Sequence, residues 1–476
     1  MHYRQSEQRI VPMKPVNKQV EGRGCHRNRS LKGNTENCTG DNYTGGRGNV
    51  STELERIKHL VEEYPERKLQ TIMHCVNENT LKKEHEKQIA GKATGVDRVT
   101  KEEYEENLKE NLSGLMERMK TFRYHPQPVR RTYITKEGKE EKRPLGIPAY
   151  EDKLVQGVMA EILNEIYEPK FYDNSFGFRK GKSCHDAIRY LNDKLMVYAN
   201  WIVDVDIKGF FNHVDHEWMM KFLEHEIEDK NFLRYIKRFL KAGIMEAGEY
   251  IKTEEGVPQG GVCSPIMANI YLHYVVDTWF EIVIKKLCRG KAVMARYADD
   301  IVFSFEHEDE AKAFYEALKE RLRKFRLELS EEKSKIIPFG PYTGKKSEKF
   351  DFLGFTVRSG KSRKGKPMIK FQTSTNRLKV KRKEIKRWIR ERMHMPVGET
   401  IEKLNRKLQG HYSYYGISHN KRKLNDYYTY ARNELYKTLR KRGQKRKLNW
   451  ERYLRILKYD PLVRPRIAHP LWNYKS

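Results

Sequence analysis

Asp299 and Asp300 follow a segment, Ala292 to Tyr297, whose β-branched and aromatic residues suit a strand. They precede a second, Ile301 to Phe305, that is mostly apolar. The pattern predicts a β-hairpin carrying two neighbouring anions at its tip. Such anions repel each other and resist desolvation unless something positive compensates them. A divalent cation does this naturally, since hard Mg²⁺ prefers carboxylate oxygens, water and phosphate. An Asp-Asp turn alone is weak evidence, because Asp is common in turns for ordinary backbone reasons. A second acidic strand adds weight. Along Trp201-Ile202-Val203-Asp204-Val205-Asp206-Ile207, apolar residues fall at 201, 203, 205 and 207, so Asp204 and Asp206 share the opposite face. Taken by itself, that face also admits a second, less favoured reading as the solvated side of a half-exposed strand.

Two further segments tie these strands together. Lys208-Gly209-Phe210-Phe211 places aromatics beside the acids. Glu255 to Pro265 (Glu-Gly-Val-Pro-Gln-Gly-Gly-Val-Cys-Ser-Pro) is a Gly- and Pro-rich loop opening an apolar helix, Ile266 to Leu272. Such a loop lets backbone approach a ligand, and a helix start offers N–H groups to anions. The combination suits two-metal phosphoryl transfer, which needs carboxylates from different strands to converge. Asp206 and Asp299 are expected to bridge the metals, with Asp300 close behind. Asp204 either supports them or faces solvent.

In this order the blocks resemble the reverse transcriptases, and more narrowly those encoded by bacterial group II introns, also called intron maturases. The resemblance runs from about residue 85 to the C-terminus. Gly95-Val96-Asp97 with Arg98-Val99-Thr100 is similar to the family's N-terminal extension motif. Arg143-Pro144-Leu145-Gly146-Ile147-Pro148 and Asn174-Ser175-Phe176-Gly177-Phe178-Arg179 resemble its fingers motifs. Asp206 to Phe211, Pro258-Gln259-Gly260-Gly261 and Tyr297 to Asp300 resemble its three palm motifs in turn. Leu329 to Ser334 resembles the fourth motif, Phe352-Leu353-Gly354-Phe355 the primer grip, and Leu404 to Gly416 the maturase domain.

The resemblance implies an α+β right-hand polymerase: fingers and a palm with an antiparallel sheet, then a helical thumb and maturase domain. Its divisions fall at 1–50, a disordered basic extension; 51–199, N-terminal extension and fingers; 200–358, palm; and 359–476, thumb and maturase-like RNA-binding domain. It implies RNA-directed DNA synthesis from dNTPs on an RNA template with a DNA primer, with two Mg²⁺ for which Mn²⁺ can substitute. It also implies binding of the parent intron RNA to assist splicing, and mobility into target DNA, within a bacterial cytoplasmic ribonucleoprotein. Asp206, Asp299 and Asp300 carry catalysis and metal binding, with the Ile207 carbonyl as a further metal ligand. Nucleotide contacts fall to Lys136 and Arg143 on the triphosphate, Phe211 under the sugar and Gln259 on template or dNTP. Lys333 is positioned to protonate pyrophosphate, although Lys335 lies two residues away on what would be the same strand face, and Lys136 suits a solvated turn equally well. Arg179 is expected to meet template backbone. The longest relatives carry a His-Asn-His endonuclease with paired cysteines, a pattern this sequence lacks, so second-strand nicking by the protein is not expected.

Composition agrees. The 476 residues carry 95 Lys and Arg against 65 Asp and Glu, a net charge of +30 that predicts a polyanionic partner. Residues 358–408 hold 18 Lys or Arg against four Glu. Within them a helix over Asn376–Met393 presents Leu378, Ile385, Trp388, Ile389 and Met393 on one face and leaves the rest cationic. Tyr412, Tyr414, Tyr415 and Trp388 either stack on bases or, the commoner use of helically spaced aromatics, pack. The six cysteines form no CxxC pair, and no stretch is long and apolar enough to span a membrane. Helices are expected over 66–90, from the Thr100-x-x-Glu103 capping box to Thr121, over Pro265–Leu287, and almost continuously from Lys366 to Leu448.

Three rivals remain on sequence grounds: a splicing-only RNA-binding maturase, a reverse transcriptase domesticated for defence or repair, and a viral-type RNA polymerase, the last disfavoured by Ala298 and the bulky Phe211. Phe211→Ala is expected to raise ribonucleotide incorporation in primer extension; unchanged sugar selectivity would refute that role.

Overall fold

Alternation along Trp201–Asp206 is realised as the central strand of a sheet buried on both faces. Val203 and Val205 enter one core, and Ile202 enters the other. The computed structural model describes residues 50–135, 142–257, 260–340, 343–362, 364–442 and 448–471, so the expectations for residues 1–49, Lys136 and Gln259 lie outside the described residues.

Helix α1 (Val50–Glu63) stops before Pro65. The helix expected over 66–90 is reduced to α2 (Glu78–Lys87) and a 3₁₀ turn at Met73–Cys75. Asp229 explains the difference: its Oδ2 accepts from the Ile72 and Met73 amides at 2.8 Å each, while Leu69 bridges Ile227, so the segment is strapped in extended form. Asn77 and Thr80 then form a capping box that starts α2. The box at Thr100 and Glu103 starts α3 (Lys101–Glu106), which breaks at Asn107 before α4 (Leu108–Lys120). Strands β1 (Val129–Thr135) and β2 (Lys142–Ile147) pair antiparallel. Helices α5 (Tyr150–Tyr167) and α6 (Cys184–Tyr198) follow.

Strand β3 (Trp201–Asp206) leads to α7 (His216–Glu226), α8 (Lys230–Leu240), β4 (Ile244–Glu246) and β5 (Glu249–Ile251). Strands β4 and β5 join β1 and β2 in a four-stranded sheet of order β2-β1-β4-β5. The apolar helix α9 (Ser264–Leu272) is not regular to Leu287. It widens into two π segments, His273–Asp277 and Phe280–Ile284, before α10 (Lys285–Leu287). Strands β6 (Ala292–Tyr297) and β7 (Asp300–Phe305), helix α11 (Glu308–Lys324) and strand β8 (Lys335–Pro338) complete the central sheet, order β6-β7-β3-β8, with every pairing antiparallel. Helices α5, α9 and α11 cover one face; α6 and the C-terminal elements cover the other.

Beyond it the chain is not wholly helical. Strands β9 (Lys349–Phe352), β10 (Phe355–Lys361) and β11 (Pro367–Thr373) form a three-stranded antiparallel sheet, and the basic stretch 359–366 is the tip of its β10–β11 hairpin. Ile369, Phe371 and Thr373 are buried at two-residue spacing, which favours a strand over the helix expected after Lys366. Helices α12 (Thr375–Glu391), α13 (Val397–Tyr415), α14 (Lys421–Arg440) and α15 (Trp450–Tyr459) follow. In α12, Leu378, Ile385 and Ile389 face the core as their spacing implies. Among the described residues no helix is long and apolar enough to cross a membrane.

Candidate active site

Sheet register brings the acids together. In the β3–β7 ladder Asp206 stands directly opposite Asp300, so the two side chains leave the same face of the sheet. In the β6–β7 hairpin Tyr297 pairs with Asp300, which leaves Ala298 and Asp299 as the turn. Asp300 is therefore the first residue of a strand rather than part of the tip. A cleft of about 800 Å³ opens over this corner, lined among others by Asp206, Asp299, Asp300, Arg143 and Arg377.

Directly opposed like charges destabilise a sheet. Burial, more than any neighbour, pushes the Asp299 carboxyl above its usual range. Asp300 has water access through the cleft, yet the surrounding protein, followed by the charges of Asp299 and Asp206, raises it to about 6 against the pull of Arg377 and Arg143. Desolvation raises Asp204 to about 7, while Lys335, its cross-strand partner, opposes the shift. Asp204 thus belongs to the same electrostatic group, a point its alternation with Asp206 had left open.

Cations answer the acids. Lys333 Nζ lies 2.9 Å from Asp206 Oδ2. The two candidate lysines are separated because 330–334 is a turn, with the Lys333 amide donating to the Ser330 carbonyl, and the strand begins at Lys335. The Asp206 amide donates to Ser334 Oγ (3.1 Å) and its carbonyl accepts from the Ser330 amide (2.8 Å), which fixes the end of β3 against this turn. Arg143 is exposed on β2. The Ile207 side chain is buried, next to a bridge from its backbone to Leu329.

Phe210 takes the core position, packing on Tyr271, and Phe211 is half-buried against it. Phe211 faces a separate hollow of about 240 Å³ shared with Pro144, Gly146 and Gly256. Gly260 comes so close to the Gly146 carbonyl that a Cβ would lie 2.7 Å from its oxygen, and its φ of +104° favours glycine.

Two expectations are settled by burial. Arg179 does not reach outward for a template backbone: it is buried, bound to Glu168 through Nε and Nη2 and to the Tyr172 and Ser175 carbonyls through Nη1. A guanidinium committed to four oxygens has no fork left for phosphate. Tyr412 and Tyr415 are buried, and Tyr414 stacks on Phe355 while donating to the Leu353 carbonyl, so all three pack. Trp388 is half-buried at the cleft wall with Arg392 and Lys407 over its ring, 4.4 and 5.3 Å from the centroid.

The hairpin's support lies in a residue outside every motif named above. Arg296, fully buried, donates through Nε and Nη2 to both oxygens of Asp277 (2.7 and 2.5 Å) and through Nη1 to Asn269 Oδ1 (2.9 Å) and the Ala298 carbonyl (3.2 Å). An arginine inside an otherwise apolar strand was the available signal.

Among the described residues no three His, Cys, Asp or Glu side chains close on one point as a finished metal cage. Mg²⁺ does not need one, because it keeps waters and substrate phosphates alongside one or two carboxylates, so the acid corner fits an open site. A second cavity, about 850 Å³, lies under the N-terminal helices. Of its carboxylates, Asp152 is engaged by Tyr124 and the Gln127 amide, Glu151 by Arg118, Glu103 by the Thr100 cap, and Asp97 by the Tyr150 amide through Oδ2 alone, so no two of them stand opposed on paired strands as Asp206 and Asp300 do.

Residues 134–357 match the family described as reverse transcriptase (RNA-dependent DNA polymerase), and residues 378–455 match the group II intron maturase-specific domain. Protein YkfC of Escherichia coli K12 is 33% identical over 309 residues, 58% of this chain and 78% of that protein. The chain belongs to the group II intron-encoded reverse transcriptase and maturase family. Group II intron-encoded protein LtrA of Lactococcus lactis subsp. cremoris is 44% identical over 164 residues, 34% of this chain; the match spans 27% of LtrA's own length. An uncharacterized 91 kDa protein in the cob intron of Schizosaccharomyces pombe is 36% identical over 170 residues, 36% of this chain and 21% of that protein. In this member of the family the reverse transcriptase match contains Asp206, Asp299 and Asp300, and the maturase match begins inside α12.

The raised carboxyl of Asp300 sets a sign. Between its ordinary 3.8 and about 6, the folded protein holds a proton that the unfolded chain has released. That contribution to stability is present at low pH and is lost as pH rises through about 6. Asp300→Asn should therefore raise the melting temperature above pH 7 in metal-free buffer, with the gap to wild type narrowing toward pH 4. A gap independent of pH would contradict this reading.

Proposed function

We propose that this protein is an RNA-directed DNA polymerase that also binds intron RNA to assist its splicing and mobility. The reading rests on one observation above all: Asp206 and Asp300 face each other across paired strands, beside Asp299, in a cleft rimmed by arginines. The sheet β6-β7-β3-β8 serves as palm, β2-β1-β4-β5 as fingers, and α12 to α14 as thumb and maturase unit. The divisions 51–199, 200–358 and 359–476 are kept for fingers, palm, and thumb with maturase unit, although β4 and β5 leave the palm stretch to join the fingers sheet, and the β10–β11 hairpin spans the last boundary.

In the proposed reaction the primer 3′ oxygen bonds to the α-phosphorus of a dNTP, the α–β phosphoanhydride bond breaks and pyrophosphate leaves. Asp206 and Asp299, with Asp300 and the Ile207 carbonyl, would hold two Mg²⁺, for which Mn²⁺ can substitute. Bound there, the ions supply positive charge to the attacking and departing oxygens. Arg143 and Lys136 bind the triphosphate, the former through a guanidinium fork suited to phosphate. Phe211 closes the floor under the sugar against a 2′-hydroxyl, and Gln259 orients template or dNTP. Lys333, paired with Asp206 through Nζ, would donate a proton to the departing pyrophosphate. The cationic face of α12 and its neighbours, together with the +30 charge, suits the RNA template, the DNA primer, the target DNA and the intron RNA.

Incubated with an annealed RNA template and DNA primer, dNTPs and Mg²⁺, the protein should extend the primer. Asp299→Ala should cut extension by roughly a hundredfold or more, the scale of losing a group that stabilises transition-state charge, while RNA binding is kept. Wild-type protein that binds intron RNA but extends nothing would leave the splicing-only reading in its place.

A further inference from the structure

The acids of the cleft sit on a hairpin whose turn is an unfavourable one. Ala298 has φ +56°, a left-handed conformation that costs energy for a residue with a Cβ. Something must hold it, and two buried groups meet it from different directions. Arg296 Nη1 donates to the Ala298 carbonyl. On the other side Gly177 lies so close that an added Cβ would be 2.3 Å from the Ala298 nitrogen.

Both supports run back to one helix. Asn269 accepts from Arg296 through Oδ1 and donates through Nδ2 to the Gly177 carbonyl (2.7 Å), so one amide links arginine and glycine. Asp277 grips the remaining edge of the guanidinium. Eight residues of regular α-helix would rotate Asp277 roughly 80° away from Asn269. The π segment His273–Asp277 intervenes, and its wider turn takes back part of that rotation, so both side chains reach the same guanidinium. Residues 174–176 complete the frame. The Arg296 amide donates to the Asn174 carbonyl (2.8 Å) and the Phe176 amide donates to the Arg296 carbonyl (2.9 Å), pairing the outer edge of β6.

We propose that Arg296, clamped by Asp277 and Asn269, is a positioning residue: with Gly177 it fixes the Ala298 turn and thereby aims Asp299 and Asp300 at the metal and substrate. A buried ion pair is not needed for stability alone, since apolar residues of similar volume often do as well. What an apolar residue cannot do is donate to Asp277, Asn269 and Ala298 at once. That geometry needs the planar fork, and lysine, a point charge, cannot reproduce it. The proposal rests on the polymerase reading above for its activity arm, but not for its metal-binding arm.

Two full-length variants test it. Arg296→Lys keeps the charge opposite Asp277 and loses the fork. Gly177→Ala leaves the ion pair intact and pushes on the turn directly. For both, kcat of single-nucleotide addition should fall at least tenfold, with KM for dNTP and Kd for an RNA–DNA duplex within about twofold of wild type. Mn²⁺ affinity, followed from the electron paramagnetic resonance of free Mn²⁺, should weaken severalfold. Folded variants with wild-type kcat and Mn²⁺ affinity would overturn the proposal, as would a loss of duplex binding equal to the loss of kcat. If Arg296→Lys does not fold, Gly177→Ala decides. Wild-type protein that binds Mn²⁺ but extends no primer would refute the polymerase reading alone, and the variants' Mn²⁺ affinities would then judge the positioning role.

Discussion

Mutual repulsion among carboxylates that the backbone will not let separate is the constraint on which this structure turns. Hydrogen-bond register in the β3–β7 ladder places Asp206 against Asp300, and the two-residue turn keeps Asp299 beside them. Sliding one strand by a residue would relieve the repulsion, but it would also turn every core side chain of that strand to the wrong face. Val203, Val205, Ile301 and Phe303 lie in one core, and Ile202 and Val302 in the other. Hydrophobic burial on both sides of the sheet thus holds charges in an arrangement they would otherwise leave.

The rest of the molecule answers that charge from several directions. Lys333 pairs with Asp206 from the turn before β8, and Arg143 and Arg377 bear on Asp300 from β2 and α12, elements distant in sequence. These cations offset part of the acids' charge and are also the groups that a triphosphate or a nucleic-acid backbone would meet. Strain within the acid-bearing hairpin falls at Ala298, where the support is buried and polar rather than apolar. Stability has been yielded at the site: the raised carboxyls of Asp204, Asp299 and Asp300 each mark a charge held where the protein would be more stable without it.

Much of this was legible where a local rule decides. The period of two in Trp201–Ile207 fixed which residues face the acids, and Thr100 with Glu103 announced a helix start that the structure places there. Legibility ended where distant groups intervene. Asp229 captures the Ile72 and Met73 amides from more than 150 residues away and converts an expected helix into a strap. The π widening at His273–Asp277 leaves the apolar pattern of α9 intact, so composition gave no warning of it. Arg179 belongs to a motif rich in surface-like residues, and its burial against Glu168 depends on how the preceding helix ends. At β11 the alternation of Ile369, Phe371 and Thr373 was present but lay between basic residues that suggested a continuing helix.

The most direct test is a crystal of the protein grown with Mn²⁺ and an RNA–DNA primer duplex, with anomalous scattering recorded from the metal. Manganese peaks are expected within bonding distance of carboxylate oxygens from both Asp206 and Asp299, with Lys333 moved off Asp206. Peaks bound elsewhere, or carboxylate oxygens of the two strands too far apart to share an ion, would contradict it.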